Sequence, residues 1–334
     1  MRELLAEIDA WRREGRAAAL VRAIGVSGFG AAQYESSMVV ADGGRRAGSL
    51  LRDAVDASVA PAIGETLGTA RGRALSVQLA TPQAGAAGLS CGGSATVVVE
   101  PLESLPALLF DSVAAGCSFV VATTTVVPDA PRSLVVTADA TDGTLGAAGL
   151  DAEVIEAARA LLDSPREVRR LLETGDGAAV HLERLDPRTR VVVAGGGEVA
   201  DALGEQARTL GWLVDLVPDE AAIDAAGALG AADALVVTTH HPIVGPDALL
   251  AGLRSGAFFI GALGSRRTQA TRAERLRASG ATDDDLDRVH GPVGLDLGGR
   301  TPAETALAIC AEILAVRAGR DLSSLRDTSG PINR

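Results

Sequence analysis

The sequence predicts an α/β protein: an N-terminal mixed α/β domain over residues 1–186, then a C-terminal Rossmann-like domain with a parallel sheet over 187–334. Short β-rich runs separated by glycine fill the first half. After the polar linker "DPRTR" (186–190) strands and helices alternate regularly, and a glycine-rich turn follows the first strand of that second half.

In the first domain "MRELLAEIDAWRREGR" reads as an amphipathic helix. Strands are expected at 20–28, 36–44 (closing on the turn Asp42-Gly43-Gly44), 73–80, 94–101, 118–127, 133–138 and 178–185. Helices are expected near 48–69 and 102–115, with a helical pair across 151–174, and no internal repeat is visible. In the second domain "VVVAG", "WLVDLV", "ALVVTT" and "AFFIGALG" each lead into a helix, the pattern of a parallel sheet covered on both faces.

Composition narrows the function. A net charge of −12 argues against general nucleic-acid binding, which needs a basic face. All 31 basic residues are arginine, which excludes a Schiff-base lysine and a Walker P-loop but suits phosphate and carboxylate recognition. Aromatic residues, at 2%, are too few for stacking on single-stranded bases. Cys91, Cys117 and Cys310 form no CxxC pair, so neither a disulfide framework nor a zinc ribbon is expected. No apolar run approaches the roughly 18 residues of a membrane span, and a cytoplasmic location is the expectation.

The glycine-rich turn is Gly195-Gly196-Gly197-Glu198-Val199-Ala200. Glycines let the backbone approach a phosphate, which the free N–H groups of a helix N-terminus favour. Glu198 opposes that reading by charge. Of two acids downstream, Asp215 lies mid-strand, while Asp219 follows the strand end and is the better ribose contact.

The segments "THHP" (239–242), "GAFFIGALGSRRTQATRAERLRASG" (256–280) and "HGPVGLDLGGRTPAETALAI" (290–309) resemble the XdhC/CoxI family, accessory factors of molybdenum hydroxylases such as xanthine dehydrogenase and CO dehydrogenase. "DGGRRAGSL" (42–50) and "LSCGGSATVVVEPL" (89–102) resemble it more loosely. The resemblance implies that the two domains bind molybdenum cofactor (molybdopterin), promote its sulfuration with a cysteine desulfurase and deliver it to an apo molybdenum hydroxylase. It also implies a homodimer.

On that resemblance the cofactor-binding candidates include Cys91-Gly92-Gly93, with a thiol suited to a soft metal, and His240 at a strand end. Gly264, Ser265, Arg266 and Arg267 open a helix where N–H groups and guanidinium charge converge on an anion. Asp296 is a hydrogen-bond acceptor for pterin or ribose, and Arg300 a phosphate partner. Thr301, Pro302 and Glu304 spell an N-cap, a first helical proline and a capping box. Adjacent strand residues face opposite ways, so His240 and His241 do not chelate one ion. Cys117 and Cys310 read as core; His181 and His290 show no neighbouring constellation.

Three departures bear on function. The family's cysteine after the first-domain turn is missing from "AGSLLRDAVD" (47–56), its "GAGHV" reads "GGGEV", and its "THD" reads Thr239-His240-His241, with Gly245 where a later aspartate is common. A cofactor-binding chaperone is the leading expectation, with a nucleotide form of the cofactor also considered. An NAD(P)-dependent oxidoreductase and a non-catalytic partner subunit are the alternatives.

Overall fold

The computed structural model describes residues 4–28, 37–87, 89, 91–124, 130–164, 167–173, 179–320 and 323–327. It divides into two compact units, one built on Met1–Asp186 and the other on Pro187–Gly330.

In the first unit α1 (Leu5–Arg13), β1 (Ala18–Gly28), β2 (Ser37–Ala41), β3 (Arg46–Ser49), α2 (Asp56–Thr69), β4 (Arg73–Leu79), α3 (Thr81–Ala86) and β5 (Gly93–Pro101) form a first run. α4 (Ala107–Ala114), β6 (Phe119–Thr124), β7 (Ser133–Val136), β8 (Thr141–Gly143), α5 (Ala148–Leu162), β9 (Arg169–Glu173) and β10 (Ala179–Leu185) form a second. Each run folds into an antiparallel five-stranded sheet, in the orders β3-β2-β1-β5-β4 and β8-β7-β6-β10-β9.

These orders are the same order shifted by five strands. The register repeats too: Leu20 lies between Val39 and Glu100, as Val121 lies between Val135 and Glu183. Two residues on, Arg22 lies between Ser37 and Val98, as Thr123 lies between Ser133 and His181. The unit is therefore an internal structural repeat, where the sequence showed none; pairing geometry is kept while side chains differ.

Alternation along the strands sets the layers. Ala18, Leu20, Val39, Phe119, Val121, Val135 and Leu185 share one core with Ile8 and Trp11 of α1 and Leu109 of α4, so the two sheets pack face to face. Ala19, Val21 and Ala23 turn outward onto Val59 and Ile63 of α2, while Val120, Ala122 and Leu182 turn onto Val154, Ala158 and Leu161 of α5.

Three first-half expectations change. The helix expected from residue 48 starts at Asp56, because Arg46–Ser49 pairs with β2 as an edge strand and Leu51, Arg52 and Asp53 take positive φ. The second helix of the expected pair is strand β9, held by pairing with β10 that outweighs the helix propensity of "RRLLE". Cys117 is exposed, not core. Of the expected strand 118–127, residues 125–127 lie outside the described residues.

The second unit holds β11 (Arg190–Ala194), α6 (Glu198–Thr209), β12 (Leu213–Val217), α7 (Ala222–Gly227), β13 (Asp233–Val237), α8 (Val244–Arg254), β14 (Phe259–Ala262), α9 (Arg266–Ala278), α10 (Asp283–Asp287), β15 (Val289–His290) and α11 (Pro302–Arg317). All five strands are parallel, in the order β12-β11-β13-β14-β15. α6 and α11 cover one face; α7, α8 and α9 cover the other. The strand order reverses between β11 and β13, and in such sheets ligands bind beyond the strand ends at that switch point.

Candidate functional site

The carboxyl ends of β11, β12, β13 and β14, with the loop after β15, bring the second-unit candidates to one edge of the sheet. At β11, Gly195 takes φ +112°, and a Cβ there would lie 2.5 Å from the Thr239 backbone nitrogen and 2.9 Å from Thr238 Oγ1. The first glycine is thus demanded by close packing of two strand-end loops. A Cβ on Gly196 or Gly197 would meet open space.

Behind that turn α6 begins with Gly197 as an N-cap that offers no side chain, and its first turn carries the acids Glu198 and Asp201. Two carboxylates at a helix N-terminus already satisfy the dipole that would otherwise draw a phosphate. Asp219 is also engaged: it accepts a 3.0 Å hydrogen bond from Thr239 Oγ1. Asp215 is ion-paired with Arg190 at 2.5 Å.

At β14 the charge is reversed. Gly264 takes φ +137°, and Ser265 caps α9 by accepting the Thr268 N–H at 3.2 Å. The first turn of α9 has no acid, and Arg266 and Arg267 stand exposed on it. One turn on, Arg272 is 93% buried, and among the described residues no carboxylate pairs with it. Its Nη1 donates to the Leu263 carbonyl at 2.5 Å and its Nη2 to the Thr239 carbonyl at 3.2 Å, tying the ends of β13 and β14 together. Burial pushes its pKa below the usual arginine value. Arg272 was missed in the sequence; its signal is an arginine four residues before Leu276 on the face of α9 that packs on the sheet.

His240 is exposed at the end of β13, while His241 Nδ1 accepts the N–H groups of Ile243 and Val244 at 3.3 and 3.2 Å, capping the approach to α8. No group of three or more His, Cys, Asp or Glu among the described residues is arranged to hold a metal ion.

After β15, Asp296 and Arg300 are exposed. The glycines around them have structural reasons: Gly294, at φ +107°, packs on Ala308 and Ile309, and a Cβ on Gly299 would lie 2.9 Å from Glu304 Cβ. The capping box forms as spelled. Thr301 Oγ1 accepts the Glu304 N–H at 3.2 Å, and Glu304 Oε2 accepts those of Arg300 and Thr301 at 2.7 and 2.9 Å. The Arg300 N–H, then that of Thr301, hold the Glu304 carboxyl below its usual range.

His290, which looked isolated, stacks on Phe259 at 4.4 Å and bonds Glu312 at 2.8 Å; the other Glu312 oxygen accepts the Gly294 N–H at 2.6 Å. Burial would raise the Glu312 pKa, but these bonds outweigh it and hold it below the ordinary value. Cys310 is buried, which pushes its thiol up to about 11.

Cys91, Gly92 and Gly93 belong to the first unit. Cys91 is half-buried, and Gly92 packs so tightly on the turn after β4 that a Cβ would lie 2.6 Å from the Leu79 carbonyl oxygen.

Residues 191–313 match the family model described as the XdhC Rossmann domain. The second unit is an XdhC Rossmann domain. Over most of its length, that domain included, the chain is 24% identical over 306 residues to the molybdenum cofactor insertion chaperone PaoD of Escherichia coli K12, covering 91% of this chain and 84% of that protein. It is 27% identical over 164 residues to the uncharacterized protein YqeB of the same organism, a match of 43% of this chain that spans only 30% of YqeB. A crystal structure of a xanthine dehydrogenase from Bacillus halodurans shares the fold, with a TM-score of 0.63 at 17% identity over 96% of this chain and 97% of that one.

Proposed function

We propose that this protein is an accessory factor that binds molybdenum cofactor and assists its insertion into a molybdenum hydroxylase, acting as a cofactor-binding chaperone. The observation that carries the reading is the α9 turn of the XdhC domain, where Arg266 and Arg267 project exposed from a helix start with no acid. Similarity to an insertion chaperone over 91% of this chain and 84% of that protein supports it.

The residues fit the anionic end of that cofactor at one turn and not at the other. Gly264, Ser265, Arg266 and Arg267 would hold its phosphate, and Arg300 adds a guanidinium at the same sheet edge. Gly196 and Gly197 leave room beside it, and Asp296 and His240 offer exposed polar groups to a pterin. Gly195 serves loop packing, and Asp219 serves Thr239. When bound, the cofactor supplies the molybdenum and dithiolene chemistry of the client enzyme; this chain's part is to bind, orient and shield. In the first unit, Cys91, with Gly92 and Gly93 shaping its loop, is a half-buried thiol of a kind suited to a soft metal.

The NAD(P) alternative is disfavoured by two observations: Glu198 and Asp201 occupy the helix start where a pyrophosphate would sit, and the acid meant for ribose is already bonded. The client apo-enzyme, a cysteine desulfurase, a homodimer and a cytoplasmic setting belong to the same proposal. No helix among the described residues is long and apolar enough to cross a membrane.

Incubation of the purified chain with freshly released molybdenum cofactor, followed by gel filtration, tests the proposal. Retention of molybdenum and oxidised-pterin fluorescence near one per chain is expected; retention of neither contradicts it.

A further inference from the structure

The sheets of the first unit form an open-mouthed pocket of about 370 Å³, within the range of small-molecule sites. Its walls are mainly apolar, from Ile24, Val26, Val121, Leu171 and Leu182. Arg22 and His181 are among its polar lining residues. Arg22 Nη2 bonds Glu100 at 2.5 Å and Thr123 Oγ1 at 2.9 Å, and Ser133 closes the network onto Glu100 at 2.6 Å. Arg22 and Thr123 hold matching positions of the two repeats, so this contact lies where the two sheets meet like for like.

Polarity here runs against the repeat. Inner-face positions one step along are the apolar pair Leu20 and Val121, and the first-sheet counterpart of His181 is Val98. An arginine and a histidine at such positions cost stability unless their hydrogen bonds are met. Arg22 is 2% exposed, and its buried Nε has no acceptor.

The local backbone is shaped around His181. A bulge between Ala23 and Gly25 takes Ile24 out of the ladder, and the His181 ring donates to the Ile24 carbonyl. A Cβ on Gly25 would lie 3.0 Å from His181 Cε1. Burial above all, and the Arg22 charge, keep the His181 pKa low, so with one ring nitrogen donating the other is an acceptor. The pocket's arginines are balanced: Arg22 by Glu100, Arg169 by Glu183 and Arg170 by Glu167. The surroundings favour a neutral guest over an anion.

We infer that this pocket is a second ligand site, taking a small, flat, neutral heterocycle with a lactam edge. Its carbonyl faces the Arg22 fork, its adjacent N–H faces His181, and the aliphatic walls cover its ring. The site lies wholly in the first unit and does not depend on the reading of the XdhC domain.

Titration calorimetry on the full-length chain tests this with metal-free probes: hypoxanthine, which carries the lactam, purine, which lacks the carbonyl, and inorganic phosphate and benzoate as anions. Hypoxanthine is expected to bind one per chain, with purine about tenfold weaker. His181→Val, which installs the residue of the sister repeat, should weaken hypoxanthine binding about tenfold with an unchanged melting temperature. Should that variant fail to fold, Gly25→Ala, which crowds the ring, should show the same loss. No hypoxanthine binding up to about 1 mM overturns the inference. So does binding indifferent to both substitutions, or phosphate or benzoate binding as tightly and with the same sensitivity.

Discussion

Two strand-to-helix turns at one sheet edge, at α6 and at α9, look alike in sequence and differ in charge. The α6 turn has the glycine pattern associated with phosphate, yet its first helical turn is acidic and its first glycine is used to pack against Thr239. The α9 turn has one strained glycine, a serine cap and two exposed arginines. A glycine motif reports how closely backbones approach; charge at the helix start decides whether an anion is welcome there.

The comparison can be broken most severely at Gly195. Gly195→Ala forces a side chain into positive φ and against the Thr239 backbone, and should cost about 3 kcal/mol in chemical denaturation, whereas Gly196→Ala should stay within about 0.5 kcal/mol. Equal losses would mean that the α6 turn is built for a ligand throughout.

Further along the edge, Glu312→Gln should destabilise by about 2 kcal/mol at neutral pH by weakening the bonds to His290 and Gly294. A carboxyl held below its unfolded pKa contributes stability that is present above that value and lost as pH falls through the folded one. The wild type should therefore lose stability on acidification below its ordinary 4.5, and this component should be missing from the variant's acid-unfolding profile.

Smaller still is Ser265→Ala, which removes the α9 cap at a cost of about 1 kcal/mol in melting experiments. No equivalent exists at α6, whose N-cap is a glycine.

The parallel sheet was legible because fully buried strands such as "RVVVA" and "DALVV" read as unbroken apolar runs between helices. The first unit was less so. β3 is a four-residue edge strand of mostly exposed residues, and β9 is rich in helix formers, so both exist through their partners. The repeat was hidden because pairing geometry survives exchanges as large as Arg22 for Thr123 or Val98 for His181. At the candidate site the capping box was spelled by local sequence, whereas Arg272 bridging two loops, and Glu312 reaching His290 from 22 residues away, depend on tertiary placement.

The most direct test compares cofactor retention by wild type, Glu198→Gln and the double variant Arg266→Gln/Arg267→Gln, using molybdenum and pterin per chain after gel filtration. The account predicts near-stoichiometric retention by wild type and Glu198→Gln, and about tenfold weaker binding by the arginine variant at unchanged melting temperature. Full retention by the arginine variant, with binding governed by Glu198 instead, would contradict it.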